Sequence, residues 1–89
     1  MTAPTSSGFE VTVRFLARYA ELVGREAVSV RVSAPATVAD VVAAARGALP
    51  QAASLPSRPL CALNYAHALL DTPVAPGDEV ALLPPVAGG

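Results

Sequence analysis

Apolar and polar side chains alternate near the start of the chain: Phe9, Val11, Val13 and Phe15 fall on one side of an extended segment, Glu10, Thr12 and Arg14 on the other. This period of two predicts a half-buried strand over residues 9–16. The alternation breaks over residues 17–23, and Gly24 can take the positive φ that closes a helical turn, so a short helix or loop is expected there. Val28, Val30 and Val32 then alternate with Ser29 and Arg31, which predicts a second strand over residues 27–32, paired antiparallel with the first.

The period changes after Thr37. Val38, Val41, Val42, Ala45 and Leu49 recur at helical spacing and form one apolar stripe. Thr37 is a good N-cap residue, and Asp40 stands three positions later, where its carboxylate can complete a capping box and face the positive end of the helix dipole. Pro50 ends the pattern, and Pro56 and Pro59 keep residues 51–59 irregular. Leu60, Cys61, Ala62 and Leu63 form a short apolar run of strand type, Asn64 is a turn residue, and residues 67–70 suggest another short strand. Pro76 and Gly77 occupy the second and third positions of a type II turn that starts at Ala75. A last strand is expected over residues 79–83, ended by Pro84 and Pro85, which have no N–H to donate.

One amphipathic helix among several strands predicts an α+β roll, with the helix covering one face of a mixed sheet. The core should be drawn mainly from Phe9, Val11, Val13, Phe15, Val30, Val41, Val42, Leu63, Val80 and Leu82. The sequence divides into a tail over residues 1–8, a folded domain over 9–83 and an extended arm over 84–89. Central pairing of the first and last strands would shield both, but the sequence does not establish it.

Composition narrows the functional classes. The chain has 89 residues, one length of domain, with six Arg, no Lys and a net charge of −1. No basic cluster is present to neutralise a row of phosphates, so neither a nucleic acid nor, without a long apolar run, a membrane is an expected partner. Without lysine there is no ε-amine for a Schiff base or for receiving an acyl group. Cys61 is the only cysteine and His67 the only histidine, too few to hold a metal. A lone cysteine and the lack of a secretory leader pattern suit a reducing, cytoplasmic setting.

The remaining chemistry lies at the end of the sequence. Pro84 and Pro85 stiffen the base of an arm that continues through Val86 and Ala87 to Gly88 and Gly89, whose bare backbone fits where any Cβ would clash. Fully extended, such an arm reaches about 20 Å. It suits a terminal carboxylate delivered into the active site of another protein. That carboxylate needs activation, and the chain has no phosphate-binding loop of its own.

The run Pro76-Gly77-Asp78-Glu79-Val80-Ala81-Leu82-Leu83-Pro84-Pro85-Val86-Ala87-Gly88-Gly89 resembles the ending of the MoaD/ThiS sulfur carriers, most closely the small subunits of molybdopterin synthase. Phe15-Leu16-Ala17, Glu21-Leu22-Val23-Gly24, Thr37-Val38 and Asn64 add weaker support. The sequence departs from many relatives at Leu83, where an aromatic residue is common, and from some at Ala20, where Arg occurs.

The resemblance implies a ubiquitin-like β-grasp fold and a carrier that is not an enzyme on its own. Gly89 would be adenylated by a separate ATP-using enzyme and converted to a thiocarboxylate. It would then supply sulfur to cyclic pyranopterin monophosphate within the large subunit of molybdopterin synthase. Leu83, Pro84, Pro85, Val86, Ala87 and Gly88 would contact the partner, and no cofactor or metal would be bound by the chain itself. Sulfur delivery to thiamine, cysteine or tRNA, and conjugation to other proteins as a ubiquitin-like modifier, are the alternatives.

Other residues have plainer roles. Cys61, between Leu60 and Ala62, is expected to be a small core residue, and His67 an exposed or locally bonded one. Asp78 and Glu79 are neighbours on a strand and point to opposite faces, which rules against a carboxylate pair. Leu82 and Leu83 are likewise opposed, so one of them must face away from the core, beside the arm.

Overall fold

The computed structural model describes residues 8–85. Strand β1 spans Gly8–Phe15 and β2 spans Ala27–Ser33, with the short helix α1, Arg18–Val23, between them. The two strands pair antiparallel with Val11 opposite Val30 and Val13 opposite Val28. Both alternations therefore present their apolar sides to one face. Strand β1 begins one residue earlier than its pattern suggests, and α1 buries Tyr19 and Val23 before Gly24, at φ 85°, closes it with an N–H bond to the Ala20 carbonyl.

Strand β3 (Ala36–Thr37) leads into helix α2, Val38–Ala48. The expected capping box is formed: the Thr37 N–H donates to Asp40 Oδ2 at 2.9 Å. The next two amides are satisfied from outside the helix, Val38 N–H by the Thr72 carbonyl and Ala39 N–H by that of Leu70. Val38, Val41, Val42 and Ala45 are buried, while Leu49 sits at the margin of the core. After Leu49 turns extended, Pro50–Ser54 forms a 3-10 turn rather than a wholly irregular crossing. Arg46 fastens this segment to the helix, donating from Nε to the Leu55 carbonyl at 2.9 Å, and Leu55 and Ala52 close that side of the core.

Strands β4 (Leu60–Leu63) and β5 (Ala66–Ala68) form a hairpin. The last strands are β6 (Pro73–Val74), which pairs with β3, and β7 (Glu79–Leu83). The expected strand over 67–70 is thus displaced: a two-residue turn at Asn64 and Tyr65 starts β5 at Ala66, and Leu69 lies outside it, largely exposed.

The main sheet has the order β2-β1-β7-β4-β5. Strand β7 is central, parallel to β1 and antiparallel to β4. Helix α2 covers one face, giving the ubiquitin-like β-grasp arrangement. Most of the expected core residues are buried, whereas Phe9 and Leu63 pack against the core from its edge. No helix among the described residues is long and apolar enough to cross a membrane.

Candidate functional site

The turn before β7 is built as its sequence predicts. Gly77 has φ 85°, where a side chain would be strained, and the Asp78 N–H donates to the Ala75 carbonyl at 3.1 Å. The strand then runs between two partners. On one side Val80 stands beside Val13 and Leu82 beside Phe15; on the other, Val80 is opposite Leu63 and Leu82 opposite Cys61. All of these except Leu63 are buried.

Alternation assigns the two leucines at the end of β7. Leu82 is fully buried, and Leu83, half-buried, faces away from α2. Directly opposite Leu83 is Leu60, which is 47% exposed. Behind them Ala81 is opposite Ala62. The open face of the sheet is therefore apolar over Leu60, Leu83, Ala62 and Ala81, next to the point where the chain leaves β7 through Pro84 and Pro85. The face becomes charged further back, where Arg14 is paired with Glu79 and Arg31 Nη1 lies 3.9 Å from Glu10.

The end of β7 is held to its neighbours. The Leu16 N–H donates to the Leu82 carbonyl at 3.2 Å, one residue past the end of β1. Of the expected partner-contacting residues, Leu83 and Pro84 are half-buried and Pro85 is exposed. Val86, Ala87, Gly88 and Gly89 lie outside the described residues, so the expected reacting end is not part of this geometry.

Leu60 is the residue that sequence reasoning missed. Four successive apolar residues in β4 hide which pair faces outward, and only the register with Leu83 identifies Leu60 and Ala62. Cys61 lies within the core at 1% exposure, where burial pushes its thiol up to about 11 and keeps it protonated at neutral pH. His67 is exposed opposite Ala62. An open groove of about 630 Å³ is lined by Thr37, Ala39, Arg58, Leu69, Leu70 and Asp71, and contains none of the expected site residues. Among the described residues no three His, Cys, Asp or Glu side chains converge.

A sequence model of the ThiS family matches residues 13–89. Among solved structures, the chain is similar to SAMP1 from Haloferax volcanii at 35% identity, over 90% of this chain and 99% of that one, with a TM-score of 0.78. It is also similar, at 27% identity and a TM-score of 0.61, to a chain in the complex of subunits 1 and 2 of molybdopterin-converting factor from Helicobacter pylori; that match covers 91% of this chain and 100% of the other. A putative molybdopterin converting factor subunit 1 from Pyrococcus furiosus shares the fold at 20% identity, over 88% and 99% of the two chains, with a TM-score of 0.71.

Proposed function

Because the chain belongs to the ThiS family, we propose that it is a sulfur carrier whose working group is the α-carboxylate of Gly89. The observation that carries this reading is the family match itself, which runs through β7 and the arm to residue 89. In the proposed cycle a separate enzyme couples the carboxylate to AMP, with release of pyrophosphate from ATP. A sulfur donor then displaces AMP to leave a thiocarboxylate. The likeness to a chain of the Helicobacter pylori complex of subunits 1 and 2 supports molybdopterin synthesis as the destination, with a large subunit as partner. Pro84 to Ala87 would line the channel that the arm enters, Gly88 would supply clearance, and Leu83 would seat the body against the partner. The carrier supplies the sulfur and the partner the catalytic groups.

A second reading is favoured by one observation, the 35% identity with SAMP1; a structure of that same Haloferax volcanii protein describes it as small archaeal modifier protein 1. The same activated carboxyl carbon would then be attacked by a lysine ε-amine of another protein, forming an isopeptide bond and releasing the activating group. Having no lysine, this chain would offer no side-chain amine for a further copy.

One pair of proteins tests the common step: wild type and a variant with an alanine appended after Gly89. The addition displaces the reacting carbon by about 3.5 Å. Each is given the adenylating enzyme, ATP and a sulfur source, and thiocarboxylate is followed by intact mass; molybdopterin is then measured with the large subunit present. The extended protein should fold normally and fail at both steps. If it succeeds without being trimmed, Gly89 is not the working residue. Intact mass from the native host separates the two fates, because a thiocarboxylate exchanges one oxygen for sulfur whereas a conjugate carries the mass of a second protein.

A further inference from the structure

The two edges of the five-stranded sheet are unlike. Strand β5 is three residues long and is followed directly by a turn, which is one way natural sheets blunt an edge. Strand β2 has seven residues, no proline and an unbroken register along β1, so no bulge twists it away. Its one charged side chain, Arg31, is tied inward, with Nη2 donating to the Gly8 carbonyl at 3.2 Å and Nη1 near Glu10. Of the usual protections, only that single charge is present.

The ladder shows which groups face outward. The Phe15 N–H donates to the Glu26 carbonyl at 2.9 Å, so Phe15 and Glu26 form a hydrogen-bonded pair. Stepping by two along the antiparallel register makes Val28, Val30 and Val32 the residues bonded to β1. The amides and carbonyls of Ala27, Ser29, Arg31 and Ser33 therefore point to the free edge, where no described group meets them.

We propose that this edge is the seam of a homodimer, in which β2 of one copy pairs antiparallel with β2 of a second about a two-fold axis at Val30. In this register Ala27 faces Ser33 of the other copy and Ser29 faces Arg31. Every outward amide and carbonyl is used, about eight bonds in all. The neighbouring symmetric registers are poorer. Centring on Arg31 sets two guanidinium groups directly opposite each other, and centring on Ser29 leaves Ser33 unpaired. The edge is thus complementary to itself, as a two-fold interface requires.

The two sheets become one of ten strands, with both α2 helices on the same face. Strands β2 and β1 lie between the seam and β7, which is about 12 Å away, so the Leu60–Leu83 surface stays uncovered. Because β7 runs antiparallel to β2, the two arms leave at opposite ends of the joined sheet. A seam of backbone bonds with little apolar area is a small, weak interface, and dimers are expected at high micromolar concentration.

The test combines sedimentation from micromolar to millimolar protein with backbone amide exchange on the full chain. In the monomer the amides of Val28, Val30 and Val32 are protected and those of Ala27, Ser29, Arg31 and Ser33 exchange. Protection of the second set should appear as concentration rises. Ser29→Pro removes an outward donor without touching a bond to β1, and should weaken dimerisation at least tenfold. The proposal is overturned if wild type stays monomeric at millimolar concentration with those amides exchanging freely, or if folded Ser29→Pro dimerises as well as wild type. Protection gained only on adding an extended peptide would overturn it too, making the edge a peptide site. Should Ser29→Pro not fold, the concentration dependence of exchange in wild type decides alone.

Discussion

Asn64 Nδ2 donates to Asp78 Oδ1 at 3.0 Å, joining the turn of the β4–β5 hairpin to the turn that starts β7. The same Asn64 side chain accepts the Glu79 N–H at 2.9 Å, and Asp78 Oδ2 accepts that of Ala75 at 2.8 Å. Asn64 itself has φ 50°, a conformation that asparagine tolerates better than most residues. Asn64→Ala loses two bonds and adds backbone strain, and should cost about 1–2 kcal/mol of stability. Asn64→Gly should recover the part due to strain. Urea unfolding of the three proteins checks the order; equal midpoints would remove this residue from the account.

Tyr65 presents the opposite opportunity. Asn64 and Tyr65 both have positive φ, 50° and 74°, as the central pair of a type I′ turn requires. A bulky residue is strained there, and Tyr65 is 88% exposed, so its ring gains little from packing. Tyr65→Gly creates the favoured Asn-Gly turn and should raise stability by about 0.5–1 kcal/mol, read as a higher unfolding midpoint. A loss of stability would show that the exposed ring contributes more than its conformation costs.

The buried thiol gives a pH prediction. Cys61 is raised by burial from an ordinary value of 9.0 to about 11, so above pH 9 the unfolded chain releases a proton that the folded protein keeps. This group's contribution is constant below pH 9, and stability falls as pH rises from 9 towards 11. The loss from this one group is at most about 2.7 kcal/mol. Cys61→Ala should start less stable because of the cavity it leaves, yet lose less on going from pH 8 to pH 11. Parallel stability curves for the two proteins would contradict the assignment.

The apolar end of the open sheet face predicts a separation of stability from binding. Leu60→Arg alters a side chain that is 47% exposed and should shift unfolding by no more than about 0.5 kcal/mol. If Leu60 and Leu83 together seat the partner, the same change should weaken capture of the adenylating enzyme or the large subunit by about tenfold or more. Calorimetric titration reads this directly. Unchanged affinity with both partners would make the patch ordinary surface.

Much of the fold could be read from periodicity because each main element has one wet side and one dry side. Val28, Val30 and Val32 against Ser29 and Arg31 give β2, and Thr37 with Asp40 marks the start of α2 to the residue. Contacts between distant segments were less visible. Leu55 lies in a proline-rich stretch with no period, yet it is buried, and Arg46 from helix α2 donates to its carbonyl. The β3–β6 ladder is two residues long on each side, too short for an alternation. At the site, the opposition of Leu82 and Leu83 was legible from one strand alone. That Leu60 faces outward beside Leu83 needed the register between two strands.

The central place of β7 also decides how the domain responds to a pull on its arm. Tension applied beyond Leu83 runs along the axis of a strand that is bonded to β1 on one side and β4 on the other. The bonds of both ladders lie across the direction of the force, so they are sheared together and do not open one by one as they would on an edge strand. If a partner draws the chain beyond Leu83 into a narrow site, as proposed, it pulls on a strand held from both sides and not on an edge strand.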